Sequence, residues 1–541
     1  MRSLVHRVVN QGPAGASERG KTCERYTSTF MNAISGGDPR ERLPLVVTGI
    51  ALVAGVTLRL TLGETPLWLD EAQTLAVIGD GYGSIGDHLR DDGHPPLYYW
   101  LLRAWTDVVG DGDTAARALS TVLGLLALPL LARTANRAVG RGAVAPTLAL
   151  AASSPFLVRY STEVRMYGLV IVLALAWWLL GNAALDRTTR PRLAGVAITT
   201  GALLLTHYWA AFLVAAGVLL LVVAHQRSHH DRVAVRRVLG AAIVGSLAFI
   251  PWLPSFLTQI RHTGTPWAVN RNPVSSFVTG VSEFAGGREA GHAIALFGLL
   301  LIVLTLGLLG ERRDRWHLEL DLRVVGVSRP LALLIGLAMA GGLGAAAILG
   351  SAFAGRYFSI VVAFVLVLGG RGIAQIGDVV IRAGVLAAAV GLGLLGSLDQ
   401  VRDDRSQGQR VAEAVNTVDE RPDVVVVCPD QLGPAVARYL PNEVEIVAYP
   451  TLGPADRVDW TDYADRNAAA DPTAIATQIV ERWGDTDVWL TFTGGYRTFG
   501  DQCERLAGEL AARRGAAATF IVADDEVFEP MNLLYFTAPA P

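Results

Sequence analysis

From Leu43 to about Ser397 the chain is a succession of apolar stretches, most of them close to the length of a helix that crosses a bilayer, separated by short segments that carry many of the arginines. Lipid offers no partner for a free backbone N–H or C=O, so a chain patterned this way closes its hydrogen bonds within helices and folds as a membrane bundle. Composition excludes the alternative. With 51% hydrophobic and 18% charged residues over 541 positions, the chain is too apolar for a water-soluble protein of its length. A formal net charge of -3 gives no basis for a nucleic-acid partner.

The expected spans lie at roughly 43–62, 113–133, 142–158, 166–185, 193–206, 208–224, 237–256, 291–310, 330–350, 357–371 and 382–398, about eleven crossings. Residues 1–42 are polar and aperiodic and read as a cytoplasmic tail, with Leu43–Leu62 as a signal anchor. Pro95–Val109 decides the topology. At about 15 residues, with Arg103 and Asp107 inside, it suits a helix lying on the membrane better than one crossing it. Then Arg133/Arg137/Arg141, Arg187/Arg190/Arg192, Arg227/Arg232/Arg236/Arg237 and Arg312/Arg313/Arg315 all fall on the side of the N-terminal tail, as the positive-inside rule requires. Residues 63–112 become the first external loop of a unit spanning 43–400, and the C-terminus lies outside.

Residues 401–541 change character. Strand-length runs at Asp423–Cys428, Val444–Val447, Asp487–Phe492 and Thr519–Val522 alternate with helical patterns near Gln409–Val418, Gln431–Leu440, Pro472–Trp483 and Asp501–Arg514. This predicts an external α/β domain with its own core. Thr493-Gly494-Gly495 follows a strand but lacks a full glycine fingerprint, and is read as a structural turn. Three cysteines exclude a disulfide-rich scaffold. Cys428 and Cys503 share the external domain and are open to a bridge that spacing alone does not decide.

The chemistry gathers where the polar loops meet the apolar segments. Leu67-Trp68-Leu69-Asp70-Glu71 sets two carboxylates soon after the first span, and Gly93-His94-Pro95-Pro96-Leu97-Tyr98-Tyr99 closes the same loop. An ionised carboxylate beside a bilayer is costly without a task or a partner, which makes Asp70 the leading base. In the predicted topology Asp70, Glu71, His94, Glu163, Arg165, His207, Tyr208, Arg356 and Tyr357 come from separate inter-helix segments yet share the external face. The loop from Thr258 to Ala290, with Trp267, Asn270, Arg271 and Asn272, is long enough for a lid or a substrate contact.

Trp-x-Asp-Glu, then His-Pro-Pro-Leu-Tyr-Tyr, then Ser154-Pro155-Phe156 with Tyr160-Ser161-Thr162-Glu163-Val164-Arg165-Met166-Tyr167, resembles the multi-pass GT-C glycosyltransferases of the protein O-mannosyltransferase and aminoarabinose-transferase superfamily. The resemblance implies a polytopic all-α bundle of GT-C type and transfer of a mannose- or arabinose-like sugar from a polyprenyl-phosphate donor to an acceptor hydroxyl on a protein, lipid or glycan. On that reading Asp70 is the base and Glu71 its catalytic neighbour. Arg165 and Arg356, with Tyr167 and Tyr357, hold the donor phosphate, guanidinium being a fork-shaped donor that stays charged. His94, Tyr98, Glu163, His207 and Tyr208 contact substrate. No cofactor is obligatory: a divalent cation on Glu71, His94 and His207 is conceivable, but no HxxE or HExxH spacing supports it. A flippase for a lipid-linked saccharide is the alternative, although its charges belong near mid-bilayer and no internal repeat is seen. A third reading is a scaffold that recognises glycan through the C-terminal domain.

Overall fold

The computed structural model describes residues 39–61, 65–227, 232–263, 273–286, 291–349, 353–417, 424–495 and 498–538. Most of the tail and the segment carrying Trp267, Asn270, Arg271 and Asn272 lie outside them. Among the described residues, seven helices are long and apolar enough to cross a membrane: Arg40–Leu60, Asp113–Ala138, Tyr167–Asp186, Arg232–His262, Gly291–Leu309, Arg329–Leu349 and Val379–Arg402. Shorter apolar helices at Ala210–Gln226 and Val362–Gln375 pack among them, and the chain is a multi-pass membrane protein. The stretch 142–158 is not one rod. It forms Val144–Ala152 and Pro155–Tyr160, broken where Pro155 lacks an N–H and Ser154 Oγ accepts from Leu157 N at 3.3 Å.

Small residues let the bundle close. A Cβ added at Gly372 would overlap the Val303 carbonyl and one at Gly307 that of Leu368, so helices Gly291–Leu309 and Val362–Gln375 touch backbone to backbone. Polar ties mark one end of the bundle: Arg137 Nη2 lies 2.6 Å from Asp186 Oδ2, and Arg312 N donates to Gln375 at 3.0 Å. The basic segments at 133–141, 187–192 and 312–315 therefore share the end from which the chain returns toward Tyr167, His207 and Arg356.

The loop after the first long helix folds into three short helices, Leu69–Gly79, Ile85–Asp92 and Leu97–Val109. The last is amphipathic in its burial: Tyr98, Tyr99, Leu102 and Thr106 point into the bundle, while Trp100, Leu101 and Val108 are exposed.

A two-stranded ribbon, β1 (Gly310–Arg312) and β2 (Leu318–Leu320), interrupts the helices. Beyond Arg402 lies a six-stranded sheet in the order β5-β4-β3-β6-β8-β7. β3 (Val424–Cys428), β4 (Glu445–Ala448), β6 (Val488–Phe492) and β7 (Ala518–Ile521) correspond to the four predicted strands. β5 (Gly453–Pro454) and β8 (Asn532–Phe536) were not predicted; β8 pairs antiparallel with β6, Val488 opposite Phe536. The central pairs β3/β4 and β3/β6 are parallel, with the all-valine run of β3 buried on both faces. After β6, the N–H of Gly495 donates to Glu504 Oε1 at 3.0 Å, so a carboxylate already fills the place a phosphate would take. This agrees with reading the glycines as a turn.

Cys428, at the end of β3, is bonded to Cys503 in helix Gln502–Arg514, with Cα atoms 5.5 Å apart. The bridge closes a separation of 75 residues, which in a chain-entropy treatment is worth about 4 kcal/mol. Alkylation of the folded protein should modify these thiols only after reduction. The double substitution to alanine should lower the unfolding midpoint of the sheet region in denaturant.

Candidate active site

Helix Leu69–Gly79 carries both carboxylates in its first turn, where the helix dipole favours negative charge. Successive residues on a helix diverge by about 100°, and the neighbours reach different partners. Asp70 Oδ2 lies 2.9 Å from Arg356 Nη1 and 3.7 Å from Arg165 Nε. Glu71 turns inward. Its oxygens accept from Arg117 Nε at 2.9 Å and Nη2 at 2.7 Å, and Oε1 also accepts from Val164 N at 3.0 Å. Glu71 thereby ties its helix to the start of Asp113–Ala138 and to the turn at 161–166.

That turn places Arg165. Ser120 Oγ donates to the Glu163 carbonyl at 2.6 Å and Thr121 Oγ1 to that of Ser161 at 3.0 Å, pinning the backbone on either side of Thr162. The Arg165 guanidinium, almost wholly buried, donates to Thr74 Oγ1 at 3.1 Å and Tyr99 Oη at 3.4 Å, and its Nη2 lies 3.0 Å from His94 Nε2. His94 is presented by Gly93, whose φ of +88° ends helix Ile85–Asp92 in the left-handed region. Its Nδ1 lies 2.8 Å from Asp92 Oδ2, which also accepts from Tyr99 Oη at 3.2 Å; Gln73 Nε2 donates to the other Asp92 oxygen. Asp92, His94, Arg165 and Asp70 thus form one continuous polar chain.

The electrostatics follow from dryness and charge. Burial alone raises the Asp70 carboxyl; Arg165, Arg356 and His94 together outweigh it and hold the group below the usual carboxylate range. Asp92 shows the same contest, with burial opposed by His94, Arg165 and the Tyr99 hydrogen bond, and also ends low.

Aromatic rings wall the other side. Tyr357 stacks on Trp209 with centroids 4.8 Å apart, His207 lies 5.8 Å from Tyr167 and 5.5 Å from Tyr357, and Trp209 N donates to His207 Nδ1 at 3.1 Å. Burial first, then His94 and the two guanidiniums, depress the His207 pKa well below its ordinary value, so the imidazole is neutral. The Tyr167 hydroxyl is buried without a hydrogen-bond partner among the described residues.

Three expected substrate contacts are buried or held by other partners. Tyr98 is fully buried beside Tyr99. Glu163 Oε2 meets Arg405 Nη1 at 2.8 Å and Arg159 Nε at 3.3 Å. Tyr208 donates to Gln259 and accepts from Trp252 Nε1 at 2.8 Å, away from Asp70's partners. Sequence reasoning missed Asp92, Arg117, Arg405 and Glu529. Only Asp92 carried a local signal, being one of two acidic residues at a helix C-terminus, where the dipole disfavours them. Among the described residues no three His, Cys, Asp or Glu side chains gather as a metal site.

The helical bundle has a fold of GT-C type. Residues 93–254 match the family model for dolichyl-phosphate-mannose-protein mannosyltransferase. ArnT from Cupriavidus metallidurans, in the apo state, superposes with a TM-score of 0.55 at 13% identity, over 92% of this chain and 98% of that one. Its complex with undecaprenyl phosphate gives 0.55 and 13% over 91% and 97%. Comparison with curated protein sequences found no match.

Removing Arg117 strands the Glu71 carboxylate in a dry interior, which costs about 3–5 kcal/mol. Arg117→Ala should therefore lose folded protein in a detergent melt. Asp70→Asn, which leaves that pair intact, should melt near the parent.

Proposed function

We propose that this protein is an inverting glycosyltransferase that moves a mannose- or arabinose-like sugar from a polyprenyl-phosphate donor to an acceptor hydroxyl at the outer face of the cytoplasmic membrane. The observation that carries the reading is Asp70 Oδ2 set against Arg356 at 2.9 Å and Arg165 at 3.7 Å, in a cluster assembled from separate inter-helix segments. The undecaprenyl phosphate bound to ArnT supports the donor class.

Asp70 takes the acceptor's proton as its oxygen forms the new bond to the anomeric carbon. The bond from that carbon to the phosphate oxygen breaks, and the electron pair leaves with the lipid phosphate, which goes from one negative charge toward two. Arg165 and Arg356 receive that charge, and the free Tyr167 hydroxyl supplies a further donor. Tyr357 and Trp209 offer faces for the sugar or the first isoprene units. Glu71, Glu163 and Tyr98 act by positioning, since their surroundings commit them to the frame, and His94 orients Arg165. Sidedness rests on the arginine-rich segments at the opposite end of the bundle and on the Cys428–Cys503 bridge, both suited to a site and a C-terminal region outside the cytoplasm. A flippase is disfavoured because the charged groups lie at helix ends rather than midway along them.

Asp70→Asn should lower transfer from radiolabelled polyprenyl-phosphate sugars about 10²–10⁴-fold while donor binding persists; unchanged transfer rejects the base. Because Asp70 works deprotonated and its pKa is depressed, kcat/KM should fall only on the acid side of the ordinary aspartate value, about 3.9. Arg356→Ala removes one of the depressing charges. Its acid limb should move to higher pH and its donor KM should rise; a limb that stays fixed rejects the coupling.

A further inference from the structure

The helix that carries Asp70 lacks a cap of its own. Its N-cap residue is Trp68, whose indole forms no cap hydrogen bond, so the first backbone N–H groups need acceptors from elsewhere. The first of them, Leu69 N, finds one in the region beyond residue 400, which also holds the segments on either side. Glu529, just before β8, accepts from Leu69 N at 2.9 Å across 460 residues of sequence. Tyr439 Oη accepts from Leu67 N at 2.7 Å and donates to Asp113 Oδ2 at 2.6 Å. One turn further on, Gln73 Oε1 accepts from Val458 N at 3.1 Å.

Packing points the same way. Trp68 and Leu69 belong to the apolar cluster of Val424, Val426, Cys428 and Leu490, not to that of the membrane bundle. Phe528 meets the Trp68 ring edge-on at 5.4 Å. In open α/β sheets the crevice beyond the carboxyl ends of the central strands, where the strand order reverses, is the usual ligand position. Here β3 is flanked by β4 on one side and β6 on the other, and the short helix Gly433–Ala437 that follows β3 packs on helix Leu69–Gly79. The sheet grips the protein's own site helix where such folds hold a ligand.

We propose that Glu529 is a positioning residue for Asp70, and that through it the C-terminal sheet region holds the base in register with Arg165 and Arg356. The proposal rests on the glycosyltransferase reading for its chemical consequence but not for the grip itself. Burial pushes the Glu529 carboxyl up, hydrogen bonds from Ser406 and Leu69 N pull it down, and the nearby Asp70 and Glu71 carboxylates push it up again, to about 8. A neutral acid suits the place: it accepts the Leu69 N–H without setting a third anion at one helix end.

The test uses the full chain in detergent with Glu529→Gln, which keeps the acceptor, and Glu529→Ala, which deletes it. Amide exchange over residues 67–75 should quicken about tenfold or more in E529A and stay near the parent in E529Q. With a panel of radiolabelled polyprenyl-phosphate sugars, E529A should lose about tenfold in kcat with donor KM within threefold, and E529Q should recover most of kcat. Loss in E529Q equal to that in E529A overturns the proposal, because charge rather than acceptance would then matter; so does an E529A protein with unaltered exchange or kcat. If E529A does not fold, Tyr439→Phe serves, with faster exchange at Leu67 expected and no change contradicting the grip. A parent protein that transfers none of the sugars overturns the glycosyltransferase reading and the chemical half of the proposal, while the exchange difference still decides the grip.

Discussion

Asp70 and its two guanidiniums are the contact on which the rest of the site depends. Two unit charges about 4 Å apart attract by about 4 kcal/mol at the effective dielectric of a partly wet protein site, and taking each from water costs several kcal/mol. Such a cluster is a poor device for stability alone. It is held by the surrounding structure: Thr74, Tyr99 and His94 engage the Arg165 terminal nitrogens, while Gln73, His94 and Tyr99 engage Asp92. Much of the architecture can be understood as the scaffold such a cluster requires.

The adjacent carboxylate shows what that scaffold looks like when it is closed. Glu71 has no exposed oxygen and meets Arg117 through a two-point fork, whereas Asp70 keeps a side-chain exposure of 16%. One pair is a rivet between a helix and a turn; the other faces an opening. Two acids one residue apart receive different tasks because a helix turns them toward different neighbours.

How much of this was legible depends on the range of each interaction. Spanning helices and strands repeat their signal over many residues, so the long apolar runs and β3, β4, β6 and β7 could be read directly. Asp70, His94, Arg165 and Arg356 were legible as chemistry because ionisable groups beside apolar segments are expensive. What decides their roles was not. The partner of Glu71 lies 46 residues away, that of Glu163 is Arg405 at 242, and the acceptor for Leu69 is 460 away; no local pattern names such a partner. Tyr208 illustrates the converse, since its place beside His207 suggested the site, yet Trp252 and Gln259 draw its hydroxyl elsewhere. The break at Ser154-Pro155 was hidden because hydropathy averages over a proline that the backbone cannot ignore. β8 escaped because Asn532–Phe536 follows Pro530 and takes its place by pairing with β6, a contact 40 to 48 residues distant.

The proposed chemistry also resolves a tension in the electrostatics. A carboxylate held below its ordinary pKa is a weak base, and the groups that weaken it are those assigned to the donor. An incoming phosphate competes for the same guanidiniums. As Arg165 and Arg356 turn part of their charge toward the phosphate oxygens, the attraction that depresses Asp70 falls, while the burial that raises it persists or grows as substrate displaces water. Donor binding thus makes the base stronger at the moment an acceptor needs it. On the same reading, without donor the carboxylate stays paired and poorly basic. A single lysine in place of the pair would not reproduce this, because one ammonium lacks the spread of donors needed to hold carboxylate and phosphate together.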